Sequence, residues 1–184
     1  MYNYTLSLIV SFIAMGFIVT SYFLKRKSLY LSFQGTGIVF LILSFFFTEE
    51  FFAMIGITIG LIRTVTFFLY EKKDKDAPLW LSFLFAGATV AVYFIVNLGI
   101  LKTAKPVDIL YLIGLIFYAF TFRIRSLKTM RLVTVVPTTL NVLYAVFISA
   151  TPFVIISYVF ECGANLLAVL RFDVFGKRKE IQTK

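Results

Sequence analysis

Apolar residues run along this chain in seven stretches, each bounded by charged or turn-forming residues: Leu6–Leu24, Leu29–Phe47, Phe51–Tyr70, Leu79–Leu101, Ile109–Phe122, Arg131–Ile148 and Phe153–Phe172. Most approach the length of about 20 residues at which a helix crosses the hydrocarbon core of a bilayer, so the pattern predicts seven transmembrane helices. The fifth stretch, Ile109–Phe122, is short for a span, and the charges on either side of it decide whether it crosses.

Composition excludes the soluble alternative. The chain has 184 residues, 60% of them apolar and only 15% charged, and the spans leave little for any domain outside the membrane. It contains no His, a single Cys (Cys162) and nine acidic residues. That leaves no disulfide framework, no thiolate or imidazole metal cage, no Ser/His or Cys/His nucleophile pair and no cofactor motif, and a membrane-embedded enzyme is not expected. The net charge of +9 sits at the ends of apolar runs, where it reports membrane topology rather than a nucleic-acid surface. Met1–Thr5 carries no Lys or Arg ahead of the first run and no small-residue cleavage site follows, so the first span is expected to remain in place.

Cytoplasmic loops concentrate Lys and Arg. With seven spans and the N-terminus outside, the inner segments hold Lys25, Arg26 and Lys27, then Lys72, Lys73 and Lys75, then Arg123, Arg125, Lys128 and Arg131. The tail adds Arg171, Lys177, Arg178, Lys179 and Lys184, making fifteen basic residues inside against two outside, Lys102 and Lys105. If the fifth stretch did not cross, the balance would become six inside and eleven outside, so the seven-span arrangement with the C-terminus in the cytoplasm is the one predicted.

An internal repeat divides these spans. Arg63 in LIRTVTFFLYE and Asn165 in GANLLAVLRFD lie equally far before an acidic residue, Glu71 and Asp173; Phe51 meets Phe153 and Leu41 meets Leu143 at the same offset of 102. Upstream, Ile13 meets Ile113 and Lys25 meets Arg125 at an offset of 100. Spans one to three thus correspond to spans five to seven, and span four reverses the chain so that both triplets run parallel. The expected architecture is an all-α integral membrane protein of two parallel triple-helix bundles in a 3+1+3 plan. Its parts are residues 1–72, the linker with the fourth span at 73–104, the second bundle at 105–174, and a basic tail at 175–184.

This plan resembles the SWEET and PnuC transporters in architecture, although the Pro-Gln dipeptide of PQ-loop proteins is absent and Pro137 is followed by Thr138. At the level of residues the chain is similar over essentially its full length to the YgjV family of bacterial inner-membrane proteins. The stretches concerned are Lys25-Arg26-Lys27 followed by Gly35 and Gly37, Ile62-Arg63-Thr64, Thr129-Met130-Arg131 and Asn165-Leu166-Leu167. Gly60 and Cys162 stand where an Asn is expected in each half. The resemblance implies a multi-pass protein of the bacterial cytoplasmic membrane and carries no settled activity with it.

Polar groups inside the spans are the site candidates, because an Arg at a helix centre costs about 2.5 to 3.5 kcal/mol on insertion scales. Arg63 lies about 10 Å along the helix from Tyr70. Glu161 and Asn165 share a face of the seventh span, and the repeat sets Asn165 opposite Arg63, so an Arg63–Glu161–Asn165 triad is expected. Gly56 and Gly60 precede Arg63 on one face as a Gly-x-x-x-Gly that would admit another helix, with Ala164 and Ala168 as a second small-residue ridge. Gln34, Asn97 and Asn141 read as interhelical hydrogen-bonding groups, and Pro137 as a kink that could free carbonyls for a solute. Tyr22, Tyr70 and Trp80 fit the interfacial aromatic belt, and Glu71–Asp76 a solvated loop.

Two readings of function follow. In the first, the chain is a small-solute transporter or facilitator whose pathway runs between the bundles, with Arg63 attracting an anionic or polar group; without an ATP-binding loop it would be passive or gradient-driven. In the second, the Arg63/Glu161 pair only fixes helix register, and the protein stabilises or regulates a partner complex. The lipid bilayer is the partner in both, and a short seven-span chain exposes enough helix surface for a homo-oligomer.

Overall fold

The protein is described by a computed structural model covering residues 2–47, 51–100, 105–147 and 152–174. Within these residues the chain forms seven α-helices and no strand: α1 (Tyr2–Tyr22), α2 (Lys27–Phe47), α3 (Phe51–Lys72), α4 (Leu79–Tyr93), α5 (Asp108–Thr121), α6 (Leu127–Phe147) and α7 (Pro152–Ala168). Wider π-helical turns at Phe94–Ile100 and Val169–Val174 extend α4 and α7. The stretches Tyr4–Tyr22, Lys27–Phe47, Leu79–Val96, Leu127–Phe147 and Ile155–Asp173 are long and apolar enough to cross a membrane, and α5 is a shorter apolar helix of 14 residues. The basic tail at 175–184, Lys102 and the side chain of Asn97 lie outside the described residues.

The helices stop where the sequence interrupts them. Charged Lys25-Arg26 breaks α1 from α2, and Pro78, extended at φ −65° and ψ 147°, sits just before α4, where its missing N–H removes no helical bond. Asp74 turns the α3–α4 loop at φ 49°, a left-handed conformation that Asp tolerates better than most residues. One expected boundary moves: α6 begins at Leu127, a full turn before Arg131, so Arg131 lies inside the helix and is buried rather than in a loop.

Each helix packs on its neighbours in sequence, and α7 returns to α1, closing a ring of seven. The ring interior holds Tyr22, Tyr30, Phe67, Tyr118, Phe122 and Met130, with Ala164 and Ala168 of α7 buried among them as small-residue packing positions. Phe12, Phe46, Phe83 and Phe160 face outward, as expected where lipid rather than water is the surroundings.

Side-chain contacts gather the basic segments at one end of the ring. Lys27 pairs with Glu71 at 2.9 Å; each charge sits at the unfavourable pole of its own helix dipole, and the pair neutralises both. Arg125 meets Asp74 and Asp76 at 2.9 Å, Arg123 Nε donates to the Ala77 carbonyl at 3.0 Å, and Lys128 donates to the Asp173 carbonyl. Residues 72–76 are exposed, as expected of a solvated loop, and make these ionic contacts at the surface. The crevice beneath, lined by Lys27, Phe67, Glu71, Ala77 and Arg123, has a volume of about 10 Å³, room for about one water.

Close helix approach occurs at Gly37, where a Cβ would come within 2.7 Å of Ile18 Cγ1 and 3.0 Å of the Ala14 carbonyl, and at Gly114, where it would meet Asn141 Oδ1 at 3.2 Å. Backbone cannot yield as a side chain can. Gly37→Val is therefore expected to force α1 and α2 apart and destabilise the protein by about 1 to 3 kcal/mol, measured by unfolding in mixed detergent micelles.

Candidate functional site

The ring interior is crossed by a string of polar groups running from α3 to α1. Arg63 on α3 is 6% exposed. Its Nη1 donates to the Leu115 carbonyl of α5 at 3.2 Å, and its guanidinium lies 5.2 Å from the Phe122 ring centroid and 5.7 Å from that of Tyr118. Ring faces attract the cation without needing a full negative charge. Nε is buried without a hydrogen-bond partner among the described residues.

Tyr118 continues the string on its other side. Its hydroxyl donates to Glu161 Oε1 on α7 at 3.1 Å, and the Tyr22 hydroxyl of α1 donates to the same oxygen at 2.9 Å. Tyr30 on α2 stands edge-on to Tyr22 at 5.6 Å and to Phe122 at 6.2 Å, completing a wall of aromatic rings around the carboxylate. Phenols of α1 and α5 thus converge on Glu161 of α7, and their two hydroxyls supply part of the solvation that water would otherwise give a carboxylate.

The expected Arg63–Glu161–Asn165 triad does not form. Arg63 and Glu161 make no ion pair; Tyr118 comes between them, offering its face to the cation and its hydroxyl to the anion. Asn165, fully buried, turns to α6 instead, where Nδ2 donates to the Arg131 carbonyl at 3.3 Å and Oδ1 has no partner among the described residues. Opposite signs made direct pairing the cheapest arrangement on paper, but α5 inserts an amphipathic ring that serves both charges.

The Gly56/Gly60 expectation is also corrected. Gly56 is exposed and a Cβ there would meet nothing within 4 Å, while at Gly60 the nearest neighbour is Arg63 Nη2 at 3.9 Å. This face therefore gives room to the guanidinium and to whatever lies outside the ring, rather than to another helix of the chain. Gln34 donates to Ser21 Oγ at 2.9 Å across α1 and α2, an interhelical bond as expected. Asn141 and Pro137 line the close α5–α6 contact at Gly114, and Pro137 is carried within a continuous α6.

The sequence did not single out Tyr118 and Tyr30; Arg131, counted there among the inner basic residues, is buried, and Tyr22, read there as a belt residue, belongs to the buried site. Arg131 reaches from α6 to the Leu24 carbonyl at the end of α1 and stacks over Phe172 at 5.2 Å. The available signal was the spacing on α5: Asp108, Tyr111, Tyr118 and Phe122 recur at helical intervals and fall on one face. Trp80, 60% exposed beside the charged loop, does fit the belt.

An all-helical chain with several membrane-length apolar helices and a charged, phenol-lined interior is a polytopic membrane protein. The chain belongs to the Imp-YgjV family of bacterial inner membrane proteins, whose family model matches residues 5–174, and its place is the inner membrane. No curated protein and no solved structure matches it.

Proposed function

We propose that this protein is a small-solute transporter or facilitator, without enzymatic chemistry, whose pathway runs through the ring interior between the α1–α3 and α5–α7 triplets. The observation that carries the reading is Arg63: a buried guanidinium facing rings and one carbonyl, with Nε unsatisfied and no carboxylate paired to it among the described residues. A residue kept only to fix helix register would be matched by a full counter-charge, whereas one that receives an anionic or polar solute needs a free donor. The 3+1+3 repeat supports the reading. At an offset of 100 the Ala14–Gly37 approach of α1 and α2 corresponds to the Gly114–Pro137 approach of α5 and α6, so the two triplets share a packing device. On this reading the basic end faces the cytoplasm, by the positive-inside rule, and its ionic contacts hold that end closed.

The experiment places one Cys at a time at positions 63, 161 and 165 in a Cys162→Ser background and times its reaction with a membrane-impermeant thiol reagent from each side. The expected result is side-dependent reaction at these positions, slowed by a transported solute at 161 and 165, where Arg63 is retained. No reaction at any position in folded protein would overturn the reading.

The open Gly56/Gly60 face favours a second reading, in which a helix of a partner or of another copy docks there and the protein stabilises that assembly.

A further inference from the structure

Arg63 uses only part of its guanidinium. The one hydrogen bond it makes to a described residue runs from Nη1 to the Leu115 carbonyl, which leaves the edge formed by Nε and Nη2 free, and Nε is buried without a partner. That edge carries two parallel N–H donors matched to the two oxygens of a carboxylate. Helical side chains lean towards the N-terminus of their helix, and Arg63 accordingly folds back over Gly60, whose Cβ position is 3.9 Å from Nη2. One turn further back, a Cβ at Gly56 would meet nothing within 4 Å. The two glycines leave a trough along α3 that starts at the guanidinium and runs away from the basic end. Protein does not close over this half. Among the described residues, none of α3 before Arg63 is buried and none of α4 or its π-helical extension after Ala86 is, whereas Thr64, Phe67, Leu81 and Phe85 are. The two helices therefore meet near the basic end, where the Phe67 and Phe85 rings lie 6.1 Å apart, and the trough beyond stays uncovered.

We propose that the free edge of Arg63 binds the carboxyl group of a single-chain amphiphile, which enters sideways from the bilayer between α3 and α4 and lays its apolar chain in the Gly56–Gly60 trough. The inference deepens the transport reading and rests on it in taking this molecule as the solute. The chemistry of the approach selects the class. From Phe51 to Ile62 and from Leu79 to Ile100 there is no charged residue, and the hydroxyls of Thr58 and Thr89 are turned back onto the Met54 and Phe85 carbonyls of their own helices. A small soluble anion would find a donor there but no polar path to it, whereas an alkyl chain finds apolar walls. Glycine lets that chain lie directly against the helix backbone. The depth of Arg63, about 10 Å along the helix from Tyr70 and about 18 Å from Phe51, separates a carboxylic acid from a phospholipid. A carboxylic acid sheds its charge by protonation and enters apolar surroundings as a neutral molecule; a phosphodiester keeps its charge, which holds its headgroup at the interface.

The test is photocrosslinking of the full chain in lipid vesicles with palmitate that carries a diazirine midway along its chain, the adducts being mapped by mass spectrometry. Adducts are expected on α3 before Arg63 and on α4 beyond Ala86. Unlabelled palmitate should displace the probe about tenfold better than hexadecanol, which lacks the carboxyl, or butyrate, which lacks the chain. Gly56→Leu fills the trough in open space while keeping Arg63, and should lower the yield about tenfold, as should Arg63→Gln. If the Arg63 variant does not fold, the Gly56 variant and the displacement series decide the matter. Adducts spread evenly round all seven helices, or equal displacement by hexadecanol or by butyrate, would overturn the site. So would disulfide-linked dimers of Gly56→Cys, in a Cys162→Ser background, that take up no probe, since a second copy would then cover this face. Side-dependent thiol labelling at 161 and 165 alongside any of those results overturns the amphiphile and leaves the transport reading standing. Localised adducts without thiol labelling keep the site and overturn transport.

Discussion

Arg63→Leu is expected to stabilise the folded protein by about 1 to 3 kcal/mol while abolishing the solute-dependent protection of a Cys at 165. The sign follows from what Arg63 has and lacks. It has one carbonyl and two ring faces, and among the described residues it has no carboxylate partner, so its burial is only partly offset. A Leu is shorter than Arg and leaves part of the space between Gly60, Leu115 and Phe122 for its neighbours to close, but it brings no charge to bury. Reversible unfolding in mixed micelles measures the first effect and thiol labelling the second. If Arg63 served packing alone, the apolar variant would retain every property of the parent.

The second large effect belongs to Tyr118. Tyr118→Phe removes the hydroxyl that donates to Glu161 at 3.1 Å but keeps the ring beside Arg63. A hydrogen bond to a charged group is worth about 1.5 to 3 kcal/mol, and that is the expected loss in unfolding free energy. Tyr118→Leu removes the ring as well and should cost about 1 kcal/mol more through the lost cation–π contact. Combining Tyr118→Phe with Tyr22→Phe should be worse than the sum of the two, because Glu161 Oε1 then loses both donors.

Most of the fold was legible because hydropathy and charge act over whole spans. The seven apolar stretches correspond to the seven helices within a few residues, and the basic segments meet at one end as their spacing requires. The buried state of Arg63, Ala164 and Ala168 was legible too. What spacing could not settle was rotation and depth. Gly56 and Gly60 satisfy a helix-packing motif, yet Gly56 is exposed and Gly60 lies beside the Arg63 guanidinium, while Gly37 and Gly114 make the close approaches. Arg131 counted equally well as a loop residue or as the first turn of a span, since charge counting does not distinguish the two. Tyr22 near a span end has the sequence appearance of a belt residue; only the return of α7 to α1 brings Glu161 to its hydroxyl. The missing Arg63–Glu161 pair has the same origin, because a correspondence of spacing between spans does not say which third helix comes between them.

On the transport reading proposed above, α1–α3 and α5–α7 move against each other about the Arg63–Tyr118–Glu161 string and open the basic end. The direct measurement is the distance distribution between spin labels at Lys73→Cys and Lys128→Cys, both exposed at that end, in a Cys162→Ser background in lipid. Two populations are expected, one matching this structure and a longer one, whose proportions shift when a transported solute is added to the parent and stop shifting in Arg63→Leu. A single narrow population, unchanged by added solute, would contradict that reading.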